Sequence, residues 1–299
     1  MTTAIETGPR LVLRSRRPQG TRVGLQTPRG LVEVGGAFVV MAGPCAVEGE
    51  TQVADAARAV AAAGCAVLRG GAFKPRTSPY SFQGLGEDGV RLLTTAAREH
   101  GLGTVTEVMG AEQLPALEGV SLLQVGARNM QNFALLRALA ALRRPVLLKR
   151  GPGATVDEWL LAAEYLLAGG NDQVILCERG IRTFEPSTRN TLDLSAVALA
   201  KQRTHLPVIV DPSHSSGRRD LVLPLSLAAA AAGADGLLVD VHPRPAEALC
   251  DGAQALLPGE LRELMQKLSA LLPALGRELW RERPAPAPFA QAKAKAVGR

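Results

Sequence analysis

The chain has 299 residues, 46% hydrophobic and 21% charged, a balance that supplies a core and excludes wholesale disorder. No apolar run reaches the roughly 20 residues of a membrane helix, the N-terminus lacks the apolar stretch of a secretory signal, and the four cysteines form no C-x-x-C pair, so the expectation is a soluble cytoplasmic protein without a disulfide framework. The net charge of +6 sits at the ends, with +4 on residues 1–36, +4 on 281–299 and −2 between them; with only 3% aromatic content to stack on bases, this argues against a nucleic-acid partner.

Residues 1–36 hold short β-like pieces at 11–13, 22–26 and 31–34 broken by Pro and Gly, enough for a small hairpin cap but not for an independent domain. From there short apolar runs alternate with Ala/Leu-rich stretches of helical period. The runs at 38–42, 66–69, 103–107, 121–125, 146–149, 173–177, 208–211 and 236–240 read as strands. Their nearly continuous apolar character is that of parallel strands covered on both faces. Glycines 64, 101, 169 and 233 close helices, as a left-handed cap prefers. Eight such units over 37–280 predict an α/β fold, a single (β/α)8 TIM barrel. An open doubly wound sheet is the alternative, but no G-x-G-x-x-G follows the first strand. Residues 281–299, built from Pro, Ala and Lys, are expected to form a disordered tail.

Barrels of this kind carry their chemistry at the C-terminal ends of the strands, and the unusual polar residues fall there one after another. The eight ends read Gly43-Pro44-Cys45, Arg69, Glu107, Gly126-Ala127-Arg128-Asn129, Lys149-Arg150, Glu178-Arg179, Asp211-Pro212-Ser213-His214 and Asp240-Val241-His242, with Asp251 just beyond. Charged groups closing apolar strands must be paired or solvated; converging on one face, they make a site. Its cations (Arg69, Lys74, Arg76, Arg128, Lys149 and Arg179) exceed what one phosphate requires, and point to substrates with several anionic groups. Cys45, His214, Asp240 and Asp251 offer a mixed S/N/O donor set for a divalent transition metal.

The segments AGPCAVE, RGGAFKPRTSPYSFQGLG, VTEVM, LQVGARNMQNF, LLKRG, NDQVILCERGIRTFE, RNTLDLSAV, LPVIVDPSHSSGRRDLV and AAGADGLLVDVHPRPAEALCDGAQAL, in order from about Val34 to Leu272, resemble the type Iβ 3-deoxy-D-arabino-heptulosonate 7-phosphate (DAHP) synthases. These share a barrel and a mechanism with the 3-deoxy-manno-octulosonate 8-phosphate synthases. The resemblance implies a metal-dependent transferase that condenses phosphoenolpyruvate with erythrose 4-phosphate, the first step of the shikimate pathway. It implies phosphoenolpyruvate binding by Arg69, Lys74, Ala127 (through its backbone), Arg128, Lys149 and Arg179. Pro75, Arg76, Thr77, Asp211 and Ser213 are implied for the aldose phosphate, and Cys45, His214, Asp240 and Asp251 for Mn, Co, Fe or Zn. Lys74, Glu107, Lys149 and His214 are implied as catalytic, Glu107 holding water near the enol carbon. A homo-oligomer, a tetramer in most relatives, is implied as well.

The loop Lys74-Pro75-Arg76-Thr77-Ser78 departs from the K-A-N-R-S pattern of the octulosonate enzymes and favours erythrose 4-phosphate over arabinose 5-phosphate. Cys45 stands where metal-independent relatives carry Asn. Asp240 replaces the usual Glu and is one methylene shorter, Pro152-Gly153-Ala154 replaces a family L-S-A, and 36 residues leave no room for an N-terminal regulatory domain of ferredoxin type. Two readings of other classes stand beside this one: a Schiff-base aldolase using Lys149, and a non-catalytic barrel scaffold. Cys65, Cys177 and Cys250 are expected to pack in the core, His100 and His205 to cap or lie on the surface, and Trp159 and Tyr165 to pack a helix on the barrel.

Overall fold

The computed structural model describes residues 8–281; the tail expected at 281–299 lies, apart from Arg281, outside the described residues. Eight parallel strands close a barrel: β3 (Val39–Gly43), β4 (Val67–Arg69), β5 (Gly103–Val108), β6 (Leu122–Val125), β7 (Val146–Lys149), β8 (Val174–Glu178), β9 (Val208–Val210) and β10 (Gly236–Asp240), with β10 pairing back onto β3. Ahead of them β1 (Val23–Thr27) and β2 (Gly30–Val34) form an antiparallel hairpin.

Helices α1 (Glu50–Ala62), α2 (Glu87–Glu99), α3 (Phe133–Leu142), α4 (Val156–Ala168), α5 (Leu194–Arg203), α7 (Arg219–Ala231) and α8 (Pro258–Ala274) return the chain between strands, with the short α6 (Pro212–Ser216) inserted after β9. The link after β5 is the exception, since it holds only two 3-10 turns, Ala111–Gln113 and Pro115–Leu117. Gly64 takes the left-handed conformation expected of a helix cap, but at the end of α4 Gly170 (φ 93°) takes it rather than Gly169.

The period of two along each strand divides the core. Val40, Ala42, Leu68, Leu148 and Leu176 face outward into the layer beneath the helices. Val39, Met41, Val67, Val105, Leu122, Leu147, Ile175, Cys177, Ile209 and Leu238 fill the interior. Val23, Leu25, Val32 and Val34 of the hairpin belong to that same interior cluster, so the hairpin closes the barrel where the strands begin. Continuing the alternation by one inward step past the apolar layer reaches Arg69, Glu107, Gln124, Lys149, Arg179, Asp211 and Asp240. The charged ring at the strand ends therefore follows from side-chain alternation above a sealed floor.

Candidate active site

At the end of β3, Gly43 has φ +151°, and a Cβ there would stand 2.1 Å from the Arg69 carbonyl oxygen. Only glycine lets the β3 and β4 ends approach this closely. The approach brings Arg69 Nη1 within 2.9 Å of the Pro44 carbonyl, to which it donates. The loop after β4 then folds back over the mouth, so that Lys74 Nζ donates to the Cys45 carbonyl at 2.9 Å and lies 3.1 Å from Cys45 Sγ.

The mouth holds one cavity of about 440 Å³. Arg69, Lys74, Ala127, Arg128, Lys149 and Arg179, the positions expected for phosphoenolpyruvate, all line it, as do Pro75, Arg76, Thr77, Glu107, His214 and Asp251. Its lining carries eight Lys or Arg side chains against two carboxylates, which selects anions and, within low-dielectric walls, draws them in. Two of those cations, Arg182 and Arg189, were not among the expected site residues, and neither were Gln124 and Asn190. Gln124 was detectable as a polar residue on the inward face of an apolar strand. Arg189 and Asn190 lie in the RNTLD segment, whose polar density was the available signal. Gln124 Nε2 donates to Glu107 Oε2 at 3.3 Å, and Asn190 Nδ2 and Arg179 Nη2 both donate to the His214 carbonyl, at 3.2 and 2.9 Å.

Asp211 and Ser213, expected at the aldose phosphate, are fully buried and do not line the cavity. Their groups are used internally. Asp211 Oδ2 pairs with Lys149 Nζ at 2.5 Å and stands 2.9 Å from His214 Nδ1, while its Oδ1 accepts the His214 backbone N–H and starts α6. Ser213 Oγ accepts the Asp240 N–H at 2.9 Å. Glu178 and Arg150, on the outward side, pair with each other at 2.9 Å beneath the helices, and Asp193 joins them.

Cys45 Sγ, His214 Nε2 and Asp251 Oδ2 form a group in which every donor atom lies within 4.8 Å of the others, with separations of 3.6, 3.1 and 3.7 Å. A thiolate, an imidazole and a carboxylate at this spacing fit a transition-metal ion such as zinc. Asp240, expected as the fourth ligand, is not in the group. Its Oδ1 is 2.7 Å from Arg69 Nη1, its Oδ2 accepts from Gln254 Nε2 at 2.6 Å, and it approaches His214 on the Nδ1 side, at 3.6 Å. The shorter side chain is thus held behind the imidazole rather than beside the Nε2 that faces Cys45.

Electrostatics follow the same geometry. Burial pushes His214 down, but Asp211 and Asp240 outweigh it and hold the imidazole above its ordinary value. Burial raises Asp251, and His214, Cys45 and Arg189 more than reverse this, leaving the carboxylate well below the usual range. Cys250, expected to be a packing residue, lies with its Sγ 3.6 Å from Cys45 Sγ and accepts from Arg76 Nη1 at 2.8 Å. In this sulfur pair Cys250 is the acid: the hydrogen bond from Cys45, opposed by burial and helped by Lys74, brings it down to about 7. That same bond, with burial, pushes Cys45 up.

The sequence profile of the DAHP synthetase I family matches residues 28–274. A phospho-2-dehydro-3-deoxyheptonate aldolase of Thermotoga maritima is 52% identical over 269 residues, covering 89% of this chain and 78% of that protein. A 2-dehydro-3-deoxyphosphooctonate aldolase of Acidithiobacillus ferrooxidans is 34% identical over 268 residues, covering 83% of this chain and 91% of that one. The crystal structure of the Thermotoga maritima DAHP synthase superposes with a TM-score of 0.88 at 50% identity over 92% of this chain and 80% of that one. A truncated form of the enzyme from the same organism gives 0.83 at 47% over 90% and 98%. The profile spans the whole barrel and every residue of the cavity just described, and the chain belongs to the DAHP synthetase I family.

Proposed function

We propose that the protein condenses phosphoenolpyruvate with erythrose 4-phosphate and water, giving 3-deoxy-D-arabino-heptulosonate 7-phosphate and inorganic phosphate, the first step of the shikimate pathway. The observation that carries this reading is the convergence of eight cationic side chains in one cavity beside the Cys45–His214–Asp251 group. Two phosphorylated substrates repel one another, and a cavity of this charge offsets the repulsion while holding the reacting carbons in place.

Arg128, Lys149, Arg179 and the Ala127 backbone hold phosphoenolpyruvate, with Lys74 and Arg69 at its carboxylate end. The Pro75-Arg76-Thr77 segment receives the phosphate of the aldose. C3 of phosphoenolpyruvate attacks the aldehyde carbon, and the new hydroxyl oxygen takes a proton through Lys149, whose ammonium is oriented by Asp211. Glu107, steadied by Gln124, takes a proton from the water that adds at C2, and the hemiketal then collapses to the C2 ketone with cleavage of the C2–O bond, its hydroxyl proton leaving with phosphate. A divalent ion would be held by Cys45, His214 and Asp251 and would supply Lewis-acid chemistry toward the aldehyde. Manganese, cobalt, iron and zinc all suit such donors.

Lys149 disfavours the Schiff-base alternative, since its amine is committed to a buried ion pair with Asp211 at 2.5 Å. The heptulosonate relative is also far more similar to this chain than the octulosonate one, which supports erythrose 4-phosphate over arabinose 5-phosphate. The protein works in the cytoplasm as a homo-oligomer, a tetramer by its resemblance. With Mn²⁺ or Co²⁺ added, purified protein consumes phosphoenolpyruvate only when erythrose 4-phosphate is present, and EDTA stops the reaction. Equal turnover of arabinose 5-phosphate would overturn the substrate, and indifference to EDTA the metal.

A further inference from the structure

We propose that Cys250, in place of Asp240, completes the donor set of the metal site, so that the ion is held by two thiolates, an imidazole and a carboxylate. The proposal rests on the metal-dependent reading above and adds to it a ligand and a metal class. Soft thiolate pairs select zinc, cobalt or iron(II) over manganese or magnesium.

Bond lengths of about 2.3 Å to sulfur and about 2.0–2.2 Å to nitrogen or oxygen put the edges of a tetrahedral site at roughly 3.3–3.8 Å. Cys250 Sγ is 3.6 Å from Cys45 Sγ and 3.5 Å from Asp251 Oδ2, both within that span. Cys250 stands outside the Cys45–His214–Asp251 group, whose donor atoms are all within 4.8 Å of one another, and its sulfur accepts from Arg76; the proposal requires that metal binding draw it toward His214.

The backbone is shaped for this. Cys250 and Asp251 are consecutive, yet both side chains reach Cys45, because Asp251 adopts the left-handed conformation at φ +53°. Arg189 Nη1 takes the outer oxygen of Asp251, Oδ1, at 3.2 Å and leaves Oδ2 facing the two sulfurs. Cys250 itself is 4% exposed, so the thiol is sequestered in the cluster rather than open to solvent. Asp240, in contrast, lies on the Nδ1 side of the imidazole, with Oδ1 ion-paired to Arg69 though without a hydrogen bond and Oδ2 accepting from Gln254.

Cobalt(II) reports thiolate ligation through a near-ultraviolet sulfur-to-metal charge-transfer band. Reduced protein loaded anaerobically with Co²⁺ is expected to bind one ion per chain. Cys250→Ser should lower the band to about half and weaken Co²⁺ binding by more than about tenfold, as loss of a soft ligand requires. Asp240→Asn should leave the band and the visible envelope unchanged. If Cys250→Ser leaves the band intact while Cys45→Ser abolishes it, Cys250 is not a ligand and the metal site itself survives. If wild-type protein binds no Co²⁺ at all, the metal reading falls and this proposal with it. X-ray absorption of the zinc-loaded wild-type protein requires no variant: two sulfur scatterers support the proposal, and one overturns it.

Discussion

Asp211 is fully buried and meets Lys149 Nζ at 2.5 Å and the His214 ring at 2.9 Å. Burial raises its pKa, but the charges of His214 and Lys149 prevail and hold the carboxyl well below its usual value. Removing one partner of a buried pair leaves the other charge uncompensated, which costs about 3–5 kcal/mol. Asp211→Ala should therefore lower the urea-unfolding free energy by about that amount, with no change in the slope of the transition. An unaltered midpoint would show that Lys149 is stabilised by something else. The same residue shows what the sequence leaves undecided. A polar strand end was readable as part of the mouth from the period of two, and Arg128, Lys149, Arg179 and His214 indeed line one cavity. Whether a given group touches ligand or instead balances a neighbouring cation depends on depth, which no spacing encodes. In this structure Asp211, Ser213 and Asp240 each hold a neighbouring protein group: Lys149, the Asp240 N–H and Arg69. Cys250 is buried with Cys45 and Ala46, as expected of a packing residue, but its contacts with Cys45 Sγ and Arg76 depend on the path of a loop that no spacing encodes.

At the scale of elements, α4 shows how local chemistry and packing agree. Thr155 Oγ1 accepts the Glu158 N–H while the Glu158 carboxylate accepts the Thr155 N–H, so the helix begins on a complete capping box. Trp159, next along, is fully buried, and its Nε1 donates to the Leu148 carbonyl on β7 at 3.1 Å. It thereby ties the helix to the strand that ends in Lys149. Tyr165, six residues on, was expected to pack in the same way but is 39% exposed and stacks on Phe133 of α3 at 4.5 Å. Trp159→Ala should cost about 3–5 kcal/mol, read from chemical denaturation, because it deletes a large core side chain together with its hydrogen bond to the strand. Tyr165→Ala should cost far less, and equal costs for the two would refute this account of the helix. Strands and most helices were legible because their periods are unbroken. The absent helix after β5 was not foreseen, although the short, Pro-containing link between Val108 and Leu122 leaves little chain for one.

For the molecule as a whole, the floor of the barrel matters as much as its mouth. The hairpin side chains Val23, Leu25, Val32 and Val34 complete the interior cluster beneath the charged ring, and the segment before it is strapped to the barrel through His205. This histidine, expected to cap a helix or lie at the surface, is 4% exposed. Its Nε2 lies 2.8 Å from the Leu11 carbonyl and its Nδ1 2.7 Å from Thr21 Oγ1. One neutral tautomer satisfies both contacts, with Nε2–H donating to Leu11 and Nδ1 accepting from the threonine hydroxyl. Burial lowers its pKa; the Leu11 carbonyl pulls the other way without prevailing. A folded value below the unfolded one of about 6.5 means the imidazole contributes stability fully above that pH. The contribution fades as pH falls below about 6.5 and is gone once pH has passed through the lowered folded value. Amide exchange at Leu11, Val12 and Thr21 should accordingly quicken, relative to the barrel strands, as the protein is taken from neutral pH to below that window. His205→Gln, which cannot gain the proton, should flatten the pH dependence. If the variant keeps the wild-type profile, the strap is not governed by this ring.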